Sequence, residues 1–288
     1  SSHGLAATDG VMVGYITDSN GVTTVYYKTS EDARWIAISV NQFLDPSYNS
    51  LVTVITNGQN GAVRNYGGYD YLSIGAYSMP AWGFPGAYTL VVTISGDIWD
   101  AGDNETSLRE ALYLAGKLYE LDGGVTWTIT FADSTGGNVV VDTSLLIDGF
   151  NVIIEGGTGI NVSPSATYAG DSIFVISDGS KATLNNLTIE GVSDAALFGG
   201  AINVTDSTLT LNNTALLGGM VAMGGALYAD GSTVTMNGGS ILGGSATQGG
   251  GVYAENSTIK LTDVLVSGNS STAAGGGIYL AGGSLSAT

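Results

Sequence analysis

Apolar and polar residues alternate in short runs along the C-terminal part of the chain, and the runs return at a fixed step. Thr208-Leu209-Thr210-Leu211, Thr233-Val234-Thr235-Met236 and Thr258-Ile259-Lys260-Leu261 each place an apolar residue at every second position. A period of two belongs to a half-buried strand. Ile202, Leu227, Val252 and Ile278 lie 25, 25 and 26 residues apart, and Leu209, Val234, Ile259 and Leu285 keep the same step. Leu216, Ile241 and Val266 form a third column. Each repeat therefore holds three short apolar segments separated by Gly, Asn, Asp and Ser, and none has a helical period.

The phrase GGALYADGSTVTM, Gly224 to Met236, recurs as GGAINVTDSTLTL, GGGVYAENSTIKL and GGGIYLAGGSLSA. A repeat of about 25 residues is one supersecondary unit that cannot bury its apolar face alone. Three strands per repeat predict one winding of a parallel β-helix, each coil stacked on the last at about 4.8 Å. Upstream the repeat loosens. Lys181 to Gly191 resembles the Thr210 to Gly218 stretch, displaced by 27. Val139–Val141, Leu145–Ile147 and Val152–Ile154 read as strands of earlier coils, with Trp127–Phe131 opening the first.

Before the coils, Ser107-Leu108-Arg109-Glu110 has the pattern of a capping box, in which the Ser hydroxyl meets the N3 amide and the Glu carboxylate reaches back. Leu108, Ala111, Leu112 and Ala115 follow on one helical face, and Gly116 is placed to close the helix. Such a helix would cover the open end of the solenoid, whose strand edges otherwise invite aggregation. Residues 1–95 differ in character. They are rich in Tyr and carry Lys28, Arg34 and Arg64. Val11–Thr17 and Val22–Tyr27 flank Asp18-Ser19-Asn20-Gly21, a hairpin signal, and Leu51–Thr56 and Tyr88–Ile94 read as further strands of a small β-sandwich-like domain. The expected organisation is a β domain over 1–95, a linker and capping helix over 96–120, and a solenoid of six or seven coils over 121–288.

Composition narrows the functional classes. The chain has 288 residues, 45 glycines, only 11% charged residues and a formal net charge of −18. Nucleic-acid and anionic-membrane binding need a Lys/Arg stripe, and only seven basic residues are present. With no cysteine there is no disulfide framework, thiolate zinc site or thiol nucleophile. No apolar run approaches the ~18 residues of a membrane-spanning helix. Low Lys, no Cys and abundant Gly, Ser, Thr and Asn fit an exported bacterial surface protein.

The Ser107–Leu112 helix, the Trp127–Phe131 strand, Leu187-Thr188-Ile189-Glu190-Gly191 and the Gly-Gly-Ala-Ile/Leu repeats resemble bacterial right-handed parallel β-helix surface proteins. The chlamydial polymorphic outer-membrane proteins and related autotransporter passengers are the groups they are similar to. The resemblance covers residues 97–288 and implies a right-handed winding, display at the cell surface, adhesion, and coils that continue past Thr288. The chain departs from the chlamydial pattern at Gly218-Gly219 and Gly243-Gly244, where a Phe-x-x-Asn tetrapeptide is expected; Ser267-Gly268-Asn269 comes nearest.

Chemistry-bearing clusters are sparse. A β-helix hydrolase needs gathered carboxylates, and no Asp-Asp pair occurs. A lyase needs a base, and Lys181 and Lys260 are the only basic residues of the coils. The single histidine, His3, sits at the terminus. Asp97, Asp100, Asp103 and Glu105 precede the helix and offer oxygen ligands for Ca²⁺; acids there also suit a helix N-terminus without any metal. Thr208, Thr233 and Thr258 form an outward column, an array suited to ice or sugars as well as an ordinary exposed strand surface. Tyr228, Tyr253 and Tyr279 form a second ladder, suited to a glycan or protein partner or to stacking between coils. The sequons Asn186-Leu187-Thr188 and Asn269-Ser270-Ser271 are of a kind that Asn- and Ser-rich sequence produces by chance.

These observations predict an extracellular, surface-displayed, non-enzymatic protein. Its β-helix would serve as stalk or binding scaffold for host or neighbouring-cell glycan or protein, with no cofactor besides the candidate Ca²⁺. The alternatives are a self-assembling fibre, sheath or surface-layer subunit, polymerising through the N-terminal domain, and a β-helix polysaccharide lyase or glycoside hydrolase.

Overall fold

A computed structural model describes residues 89–98, 106–121 and 126–288 together with strands at 12–17, 23–28, 36–38, 73–74 and 77–78. Met12–Thr17 and Thr23–Lys28 pair antiparallel, as the hairpin signal predicts, and Ile36–Ile38 adds on the other side of the second strand. The predicted strand at Leu51–Thr56 lies outside the described residues.

From Trp127 onward the chain winds a parallel β-solenoid of about six turns. The coil that begins at Leu227 shows how each turn is built. Wall A is Leu227–Asp230. The strand Thr233–Leu242 supplies walls B and C, bending at Gly238 and Gly239, both of positive φ. Wall D is Ser245–Gln248. The three apolar segments expected of each coil are walls A to C. Wall D is an addition to that expectation. It pairs with its equivalents Asp194–Phe198, Met220–Met223 and Ser270–Ala274 as a four-stranded parallel sheet of its own. Its inner positions change from Val221 to Ala246 in the next coil, and its strands run from Met220-Val221-Ala222-Met223 to Ser245-Ala246-Thr247-Gln248, so no apolar column repeats from coil to coil.

The columns align in the order the spacing predicts. Leu145, Phe174, Ile202, Leu227, Val252 and Ile278 are consecutive partners along wall A. Leu209, Val234, Ile259 and Leu285 are partners along wall B, and Leu216, Ile241 and Val266 along wall C. Most of these side chains are fully buried, each worth roughly 1.5–3 kcal/mol of apolar burial. The double glycines turn the corner from wall D to wall A. Gly199, Gly224, Gly249 and Gly275 have φ of 67°, 64°, 61° and 66°, which L-residues rarely adopt. The glycine that follows at Gly200, Gly225 and Gly250 has no room for a side chain: a Cβ on Gly225 would overlap the Gly250 carbonyl oxygen.

The helix runs Leu108–Leu121 and packs on the first strands of the solenoid, with Leu108, Ala111, Leu112, Leu114 and Ala115 buried. Its capping box is formed. Glu110 Oε2 accepts from the Ser107 amide at 2.8 Å, and Ser107 Oγ accepts from the Glu110 amide at 3.2 Å. Gly116 does not end it, contrary to the sequence expectation. The helix continues through Gly116 to Leu121, and a Cβ at Gly116 would press on the Phe150 ring at 3.2 Å; the glycine serves close packing. The strand Thr89–Val92, grouped with the N-terminal domain from sequence, pairs in parallel with Trp127–Phe131. It thus adds a rung ahead of the strand expected to open the solenoid.

Candidate functional site

The candidate binding surfaces of a solenoid are its outward columns. On wall B, Lys181, Thr208, Thr233, Thr258 and Ser284 are consecutive partners, as are Thr183, Thr210, Thr235, Lys260 and Ser286 beside them. The first half of each strand keeps unbroken register over these coils. Thr208, Thr233 and Thr258 are half-buried, facing away from the apolar interior. The wall therefore presents two parallel files of hydroxyls, the first headed by Lys181 and the second interrupted by Lys260. Lys181 and Lys260 lie three coils apart and in different files, so the two bases do not converge.

The corner between walls B and C carries a file that the sequence reading missed. Asn212 Nδ2 donates to Asn185 Oδ1 at 2.8 Å, and Asn237 Nδ2 donates to Asn212 Oδ1 at 2.9 Å. Asn185 in turn donates to Glu155 Oε2 at 3.1 Å, while Asn186 donates to Glu155 Oε1 at 2.8 Å. An ionised carboxylate only accepts, so Glu155 fixes the direction of every amide behind it. At the corner between walls A and B, Ser180, Ser207, Ser232 and Ser257 form a buried file. Ser232 Oγ accepts from the Ser207 amide at 3.1 Å, and Ser257 Oγ from the Ser232 amide at 3.0 Å. Steps of 27 and 25 residues between Asn185, Asn212 and Asn237 were the available signal.

On the outer side of wall A, Tyr228, Tyr253 and Tyr279 are consecutive partners. The rings of Tyr228 and Tyr253 stack with centroids 5.4 Å apart and planes 2° from parallel; Tyr253 and Tyr279 stack at 5.3 Å and 19°. Phe198, from wall D, lies tilted over Tyr228 at 5.2 Å. The ladder is less open than an outward column suggests. Tyr253 is only 6% exposed, because each face of its ring is covered by a neighbouring ring. A sugar packs against an aromatic face, and the middle ring has none to offer. Asp230 and Glu255 are partners two residues further along the same wall and the same side. Burial first, and then the charges of Asp230 and Glu255, push the phenols of Tyr228 and Tyr253 above their ordinary value.

Of the four acids considered for Ca²⁺, Asp97 is already engaged. Arg109 donates to its Oδ1 at 2.7 Å and its Oδ2 at 2.6 Å, and the Asp142 amide donates to Oδ2 at 2.8 Å. Arg109 also donates to the Thr143 and Ser144 carbonyls, so the pair clasps the helix to the first coils. Asp100, Asp103 and Glu105 lie outside the described residues, as does His3. Among the described residues no three His, Asp or Glu side chains gather in a way that holds a metal ion, and no helix is long and apolar enough to cross a membrane.

No protein-family model, no curated protein and no solved structure matches this chain.

Proposed function

We propose that this chain is an extracellular, surface-displayed adhesive scaffold, in which the β-helix is both stalk and binding surface. The observation that supports this reading is wall B. Its files from Lys181 to Ser284 and from Thr183 to Ser286 hold register without a bulge. Evenly stepped hydroxyls, both donors and acceptors, suit a polyhydroxylated ligand such as a glycan chain. The tyrosine ladder serves the stack more than the ligand, since both faces of its middle ring, Tyr253, are occupied. The net charge of −18 keeps such a surface soluble and steers it from other polyanions. The resemblance of the repeats to autotransporter passengers and chlamydial surface proteins points the same way.

The test is binding of the purified chain to a glycan array and to whole cells. A variant carrying Thr208→Lys, Thr233→Lys and Thr258→Lys crowds like charges onto wall B while leaving the interior untouched. The reading expects selective binding by the parent chain and its loss in a variant with an unchanged circular-dichroism spectrum. Binding that survives the triple substitution would move the adhesive surface elsewhere.

A further inference from the structure

The tyrosine ladder carries chemistry that does not depend on adhesion. We propose that Tyr228, Tyr253 and Tyr279 form an oxidative cross-linking site, where a peroxidase-type one-electron oxidant joins adjacent rings as dityrosine and rivets one coil to the next.

Three features of the stack support this. The rings are consecutive partners on adjacent coils, with centroids 5.4 and 5.3 Å apart and planes within 2° and 19° of parallel. Radical coupling is second order in solution, and holding both partners in contact makes it effectively unimolecular. The end members Tyr228 and Tyr279 are partly open to solvent whereas Tyr253 is nearly covered. An oxidant therefore meets the ends, and the hole passes inward across stacked rings. Finally, Asp230 and Glu255 stand on the same side of the wall, two residues beyond Tyr228 and Tyr253. Their negative charges reach both phenols and ease the removal of an electron from the rings.

The chemistry balances as two phenols plus one hydrogen peroxide giving one dityrosine and two waters. Each phenol loses one electron and one proton to become a phenoxyl radical. The two radicals form a carbon–carbon bond between ring positions ortho to the hydroxyls. The two ring hydrogens at that bond then shift to the oxygens and restore the phenols. The peroxide, activated by a haem peroxidase, takes up the two electrons and two protons.

The experiment treats the whole purified chain, at a dilution that disfavours contact between molecules, with a haem peroxidase and hydrogen peroxide. Proteolytic digestion and mass spectrometry then identify linked peptides. With 15 tyrosines in the chain, blue dityrosine fluorescence alone does not locate the link. The expected result is peptides joining Tyr228 to Tyr253 or Tyr253 to Tyr279, lighter by two hydrogens than their sum. Their yield should fall by roughly tenfold or more when the protein is oxidised in urea, as lost proximity requires. Tyr253→Phe keeps the ring stack and should abolish both links. Recovery of these peptides unlinked while other tyrosines couple would overturn the proposal, as would equal yields from folded and unfolded chain.

Discussion

Asn212 donates its side-chain amide to Asn185 at 2.8 Å, one coil away, and the direction of that bond is set by Glu155 at the head of the file. Replacing Asn212 with Asp removes the donor and leaves two acceptors facing each other. The half-buried amide of Asn185 cannot turn to compensate without losing Glu155. Asn212→Asp should cost about 1–2 kcal/mol, lowering the melting temperature by a few degrees. Asn212→Gln, which retains the donor, should cost less, and thermal unfolding of the two variants side by side checks the order.

Glycines in the coils are required for different reasons, and the structure separates them. A Cβ on Gly225 would overlap the backbone oxygen of Gly250, whereas one on Gly243 meets nothing within 4 Å and suffers only from φ of +69°. Gly225→Ala should therefore cost roughly 3 kcal/mol or more, because backbone in the next coil must move. Gly243→Ala should cost about 1–2 kcal/mol. Chemical denaturation of both variants gives the comparison, and equal losses would contradict the corner geometry described for the double glycine.

That contrast also shows how far the sequence could be read. Leu227, Val252 and their equivalents were legible because an inward strand position admits little except a large apolar side chain, and the demand repeats with every coil. The double glycine at Gly224 and Gly225 was legible as part of the repeat, because the corner it makes returns with every coil. Wall D was not, because its inner position changes from Val221 to Ala246 between coils and leaves no apolar column that repeats. Gly116 was misread because a glycine that ends a helix and one that admits the Phe150 ring look alike in one dimension. The Asn file was hidden because its partners lie 25 to 27 residues away, where polar residues read as loop. The spacing of Tyr228, Tyr253 and Tyr279 made a ladder legible, but only the rings on both neighbouring coils reveal that Tyr253 is covered.

Arg109 and Asp97 tie the helix to the solenoid, and the Asp97 side chain is 3% exposed. Arg109→Met leaves that carboxylate buried without its partner, a loss of roughly 3 kcal/mol. The cost should be local. Hydrogen exchange should accelerate in Leu108–Leu121 and in Trp127–Phe131, while the coils after residue 200 keep their protection. Uniform acceleration along the whole solenoid would show that the cap is not a separable unit.

Alkaline pH should weaken the tyrosine ladder. The phenols of Tyr228 and Tyr253 are raised in the folded chain from an ordinary value of 10.0, so above that pH the unfolded chain loses these protons first. The stability they contribute is fully present below pH 10 and is lost as pH rises from there through the folded value. The melting temperature should fall along this limb, and the Tyr228→Phe, Tyr253→Phe double variant should show a shallower fall than the parent. An identical alkaline limb in both proteins would place the effect on other tyrosines.

The wall B face, the Asn file and the tyrosine ladder all rest on one register, in which residues about 25 apart are direct neighbours on adjacent coils. Because the chain has no cysteine, disulfide trapping reads that register without interference. Adjacent parallel strands sit about 4.8 Å apart, within the Cα separation of about 4.4–6.8 Å that a disulfide accepts, and strands two coils apart do not. Oxidation of a Thr208→Cys, Thr233→Cys variant should close an intramolecular disulfide rapidly and nearly completely, while a Thr208→Cys, Thr258→Cys variant should remain reduced. Rapid closure of the second pair, or failure of the first, would contradict the coil-on-coil arrangement.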